Sequence, residues 1–94
     1  MKKSFEDPFL KILPTIDVHG EMRDTVTWVV EDFINSEQKL GHLKIAVIHG
    51  RHSNVLKNSI HEYLKTEKKV TKYYTYGSND GITIIELTPN IKFL

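Results

Sequence analysis

Two short apolar runs, Ile16-Asp17-Val18 and Ala46-Val47-Ile48, each end in a histidine-glycine pair, His19-Gly20 and His49-Gly50. Ile12 to Val18 predicts a strand whose start is limited by Pro14, with Ile16 and Val18 on one face and Asp17 and His19 on the other. Val26, Val29, Val30, Phe33 and Ile34 then form a stripe at helical spacing, with Glu31, Asp32 and Glu37 outside it. Asp24 fits an N-cap, and Gly41 fits a stop. Leu43 to Ile48 is apolar without alternation after Lys44, as expected of a central strand covered on both faces.

Beyond His49-Gly50, residues 51–54 read as a turn, and Ser53 or Asn54 caps a second helix running to about Thr66. Val55, Leu56, Ile60 and Leu64, joined by Tyr63, make its buried side. Val70 to Tyr76 is rich in Tyr and Thr, residues 77–80 carry turn signals, and Gly81 to Leu87 has strong β propensity, which together predict a terminal hairpin. The order β-α-β-α-β-β implies an α/β fold, a two-layer sandwich with a mixed four-stranded sheet and two helices. Residues 1–11 form an arm that can pack back through Phe5, Phe9 and Leu10, and residues 12–94 form one domain.

A β-α-β unit brings the carboxyl ends of two parallel strands together, and ligands bind in the crevice beyond such ends. Both histidine-glycine pairs fall there. The chain has 94 residues and no cysteine, which removes disulfides, zinc-thiolate sites and thiol nucleophiles. Its longest aliphatic run is far too short to cross a bilayer, and Glu6, Asp7 and Pro8 interrupt any signal-peptide core after Met1-Lys2-Lys3, so a cytoplasmic location without membrane association is expected. The net charge of +1 is uneven: residues 39–72 hold eight Lys or Arg against Glu62 and Glu67, leaving five basic and ten acidic residues elsewhere. Such a basic segment attracts a polyanion or is a solvated helix face.

Three motifs in order make the chain resemble the Smr (small MutS-related) domain family. They are the strand Ile16-Asp17-Val18-His19, the loop His49-Gly50 followed by Leu56-Lys57, and the last strand Gly81-Ile82-Thr83-Ile84-Ile85-Glu86-Leu87. The resemblance covers about residues 12–88. It implies a fold similar to the C-terminal domain of a bacterial translation initiation factor, and nucleic-acid binding with endonuclease activity in several members. The family's acid-histidine pair maps onto Asp17 and His19, and its histidine-glycine loop onto His49 and Gly50. The chain departs from the pattern where His52 and Asn54 replace loop glycines, and where Ser78 and Asn79 stand near the glycines that usually precede Gly81.

Phosphodiester cleavage needs a proton acceptor, a proton donor and positive charge or N–H groups for the phosphate. Asp17, His19 and His49 are the candidate catalytic residues. Gly50, Arg51, His52, Ser53, Asn54 and Lys57 are the candidate nucleic-acid contacts, the last four at or near a helix N-terminus that favours anions. A divalent metal held by three or four of His49, His52, Asp17 and His19 is one route, and metal-free RNA cleavage through the 2′-hydroxyl another. The expected partner is RNA or DNA, with the ribosome as a further option. The alternative function is a non-catalytic module that holds nucleic acid or a ribosome and has lost cleavage through its altered loop. Plainer roles stand beside these: Asp17 bonding turn amides, His19 and His49 as structural histidines, and His42 and His61 as surface residues. Tyr73, Tyr74 and Tyr76 either stack on bases or pack a core.

Overall fold

The computed structural model describes residues 12–51 and 54–90. The expected arm at 1–11, His52 and Ser53 lie outside the described residues. Strand β1 (Thr15–Asp17), helix α1 (Arg23–Lys39), strand β2 (Lys44–Ile48), helix α2 (Asn54–Leu64), strand β3 (Val70–Tyr76) and strand β4 (Asn79–Leu87) follow in that order. The sheet runs β1-β2-β4-β3, with β1 and β2 parallel and the other two pairings antiparallel. This is the mixed α/β arrangement the hydrophobic pattern predicts.

Strand β1 is shorter than expected, because Pro14 has no N–H to add to the ladder, although its carbonyl still accepts from Ala46 N–H at 2.9 Å. Helix α1 starts before Asp24. Met22, in extended conformation, takes the cap position without a side-chain bond, and its carbonyl accepts from Val26 N–H at 2.9 Å. Asp24 therefore sits inside the first turn, where its charge opposes the helix dipole favourably instead of capping. At the other end, Gly41 adopts φ +90° while His42 N–H reaches back to the Glu37 carbonyl and Gly41 N–H to that of Gln38, a Schellman closure. Glu37 is drawn in rather than left outside, since its carboxylate meets His42 Nδ1 at 2.6 Å.

The core lies between the helices and one sheet face. Val26, Val30 and Ile34 of α1 and Leu56, Ile60 and Leu64 of α2 pack with Val18, Ile45, Val47, Ile85 and Leu87. Val55 is half exposed, contrary to the pattern, because it precedes Leu56 in the first turn and points off the buried side. Alternation sends Ala46, Ile82 and Ile84 to the opposite sheet face, with Leu13, Ile48, Tyr74 and Tyr76 packed against them. Tyr73 joins the helix-side core, so all three tyrosines of β3 are packing residues on one face or the other. A register shift at Thr71 lets both Val70 and Tyr73 face the helices despite their odd spacing.

Candidate active site

The β1 exit is drawn against the β2 exit by Val18 N–H, which donates to the Ile48 carbonyl at 2.8 Å. Just beyond, Asp17 Oδ1 accepts both the His19 backbone N–H at 3.1 Å and His19 Nδ1–H at 2.5 Å. Asp17 thus bonds a turn amide and orients an imidazole with the same oxygen. The tautomer follows from the partner: with the proton on Nδ1, neutral His19 keeps a lone pair on Nε2. The His19 side chain is 68% exposed, so that lone pair belongs to a ring open to solvent.

Gly50 closes the crevice from the β2 side. It adopts φ +93°, which a side chain tolerates poorly, and a Cβ there would stand 3.4 Å from His19 Cβ. The N–H groups of His49 and Gly50 both donate to the Gly81 carbonyl, at 2.9 and 3.0 Å. The Gly50 N–H is therefore committed to β4, and this glycine shapes the site by its conformation and lack of bulk. Arg51 is exposed, with Nε 3.8 Å from Asp80 Oδ1.

His49 lies beneath this surface, only 2% exposed. Its Nε2 is 2.7 Å from Thr83 Oγ1, and its Nδ1 is 3.3 Å from the Gly50 carbonyl. Thr83 Oγ1 is also 2.8 Å from Nε2 of His61, whose ring meets Tyr73 edge-on at 4.9 Å. Burial lowers the pKa of His49 below the ordinary histidine value, partly offset by its bond to Gly50, with the neighbouring His61 and Lys57 lowering it further. His61 is lowered as well, by burial and then by Lys57 and Lys65. His61 is thus a half-buried, hydrogen-bonded residue and not the surface histidine its helical setting predicts, because α2 lays this side against β3 and β4. His42 is exposed, as expected.

The sequence profile of the Smr domain matches residues 16–88, which spans β1 through the end of β4. The chain belongs to the Smr family. It is 35% identical over 79 residues to the endonuclease MutS2 of Caldanaerobacter subterraneus subsp. tengcongensis, covering 81% of this chain and 10% of that protein. It is 32% identical over 76 residues to the endonuclease MutS2 of Caldicellulosiruptor saccharolyticus, covering 78% and 10%. This chain therefore spans about a tenth of the length of the curated relatives it matches. Among solved structures, the Smr domain of Thermus thermophilus MutS2 superposes with a TM-score of 0.80 at 21% identity, covering 82% of this chain and all of that one. YdaL, a stand-alone small MutS-related protein from Escherichia coli, gives 0.71 at 18%, covering 78% and 63%. These two likenesses carry the fold.

Within this Smr fold, Asp17, His19 and Gly50 come together at the strand exits, Arg51 lies on the β4 side against Gly81 and Asp80, and His49 stands behind them. Asn54 opens α2 and is exposed; Lys57, half-buried one turn on, is near enough to His49 and His61 to oppose their protonation. The basic segment is dispersed. Lys44 and Lys72 lie on the sheet face away from the helices, one 3.9 Å from Glu86 and the other over the Tyr74 ring, while Lys65 and Lys69 pair with Glu62 and Glu67. Among the described residues no three His, Asp or Glu side chains converge as metal ligands, and His49 turns both ring nitrogens toward protein partners; His52, the other member of the expected metal set, lies outside the described residues. No helix among those residues is long and apolar enough to cross a membrane. Sequence reasoning missed Thr83, His61 and Asp80. The first had a signal: Thr83 shares the strand parity of Ile85 and Leu87, which puts a lone hydroxyl on the core face.

Proposed function

We propose that this Smr domain binds nucleic acid and cleaves its phosphodiester bonds at the crevice between the β1 and β2 exits. The observation that carries the reading is the exposed Asp17–His19 pair, 2.5 Å apart and set against the Gly50–Arg51 turn. His19 Nε2 accepts the proton of the attacking hydroxyl as its oxygen bonds to phosphorus, the bond from phosphorus to the leaving 5′-oxygen breaks, and that oxygen takes its proton from solvent; Asp17 holds the ring and balances the imidazolium, which then returns its proton to solvent. Arg51, Lys57 and the opening turn of α2 at Asn54 supply the positive field for the phosphate. RNA suits this set of residues best, since its 2′-hydroxyl provides a nucleophile already placed beside the phosphorus and asks the protein for proton transfer and charge alone. His49 supports the turn from behind. The endonuclease names of the MutS2 relatives agree with this reading.

The test incubates pure protein with labelled RNA and DNA, each with divalent metal and with chelator. Cleavage that drops about a hundredfold or more in His19→Ala is expected for loss of a general base. Cleavage that persists in the Asp17→Ala, His19→Ala double variant assigns the activity elsewhere. Salt-dependent binding with no cleavage under any condition removes the catalytic half and leaves a binding module.

A further inference from the structure

Thr83 Oγ1 lies between two imidazole nitrogens, His49 Nε2 at 2.7 Å and His61 Nε2 at 2.8 Å, in a position with no solvent exposure. A hydroxyl has one proton to give and two lone pairs to receive with. It can donate to at most one of these rings, so at least one ring must donate to it. The far side of His49 decides which. Its Nδ1 faces the Gly50 carbonyl, an acceptor only, so the His49 proton sits on Nδ1 and its Nε2 carries a lone pair. Thr83 O–H therefore donates to His49, and His61 Nε2–H donates to Thr83.

The bonds run in one direction, from His61 through Thr83 and His49 to the Gly50 carbonyl. The Tyr73 ring, edge-on to His61 at an interplanar angle of 69°, holds the first member in place. The last member is the glycine whose φ of +93° sets the turn against His19. We propose that His61 is a positioning residue, acting through Thr83 and His49 to fix the orientation of the Gly50 peptide and thereby the turn that faces Asp17 and His19. Its catalytic consequence rests on that crevice being the working site; the direction of the bonds does not. A residue filling space at position 61 would satisfy the packing against Tyr73 and leave the direction undetermined, so donor chemistry separates a positioning role from a structural one.

Nitrogen-detected NMR of the imidazoles in the full chain above pH 7 tests this without any substitution. The expected result is His49 as the Nδ1–H tautomer and His61 as the Nε2–H tautomer; His49 found as Nε2–H overturns the proposal. In His61→Ala, His49 is expected to lose its single tautomer, and the His49 and Gly50 amides to exchange several-fold faster. Cleavage is expected to lose about tenfold in kcat with KM changed less than twofold, as for a reacting group held slightly out of place. His61→Gln, which keeps an N–H donor at similar reach, restores all three readings; a Gln variant that behaves as Ala overturns the proposal. If the wild-type protein cleaves nothing, the functional reading fails by itself, and the tautomer and exchange readings still decide this one.

Discussion

Gly81 and Arg51 approach so closely that a Cβ on Gly81 would stand 2.6 Å from Arg51 Cγ. The arginine side chain can swing away, but the same methyl would also meet Gly50 C at 2.9 Å and Arg51 N at 3.0 Å, and those are backbone atoms of the turn beside His19. Gly81→Ala must therefore move the turn or the start of β4. The expected cost is about 1–3 kcal/mol by urea denaturation, as for other overpacked sites, together with loss of cleavage. A variant as stable and active as wild type would mean the turn yields freely.

Arg51 is shared between the crevice and Asp80. Their 3.8 Å pairing is exposed on both sides and contributes little to stability, but it places a carboxylate beside the proposed phosphate contact. Asp80→Asn should tighten nucleic-acid binding by roughly threefold, the scale of one exposed charge pair. Arg51→Ala should weaken binding and reduce the slope of log affinity against log salt by about one. Fluorescence anisotropy across a salt series measures both, and unchanged slopes would remove Arg51 from the interface.

Burial lowers both His49 and His61 from the ordinary value of 6.5 in the folded protein. Well above pH 6.5 both are neutral in either state, and their full contribution to stability is present. As pH falls below that value the unfolded chain takes up protons first, so stability declines until the folded-state values are passed. Denaturation midpoints at pH 7.5 and 5.5 should differ accordingly, and His61→Gln should flatten the difference. An equal slope in the variant would exclude His61 as a contributor.

Val55 and Ile60 carry the same apolar signal in the sequence but occupy different surroundings, half exposed and fully buried. Ile60→Ala should cost about 2–5 kcal/mol, whereas Val55→Ala should stay within about 0.5 kcal/mol. Thermal or chemical unfolding of the two variants settles the contrast.

That contrast marks where the sequence is readable. The stripe of Val26, Val29, Val30, Phe33 and Ile34 mixes spacings of three and four, which the alternation of a strand cannot satisfy, and Gly41 supplies the positive φ a closing turn needs, so α1 and its end are legible from residue types. Asp17 and His19 are legible for a similar reason: alternation puts residues two apart on one face, and although β1 ends at Asp17, the turn that follows keeps them in contact. The depth of His49 is not legible, because it depends on β4 lying beside β2 and on α2 covering the exit. The role of His61 needs three elements to converge on Thr83, and no local spacing records that. Asp24 shows the reverse failure, since a good capping residue is passed over when an extended Met22 starts the helix two positions earlier.

The strand order has a consequence for synthesis. Strand β2 pairs on one edge with β1 and on the other with β4, the last strand to be made, and the turn after β2 hangs its two amides on the Gly81 carbonyl. A growing chain can form the β1–α1–β2 unit early, but its crevice has no fixed wall until residues 81–83 have emerged and docked. A truncated or half-translated copy therefore keeps the local contact of Asp17 with His19 but lacks the Gly81 carbonyl that fixes the Gly50 turn against them. Completion of the hairpin is what gives the crevice its fixed wall.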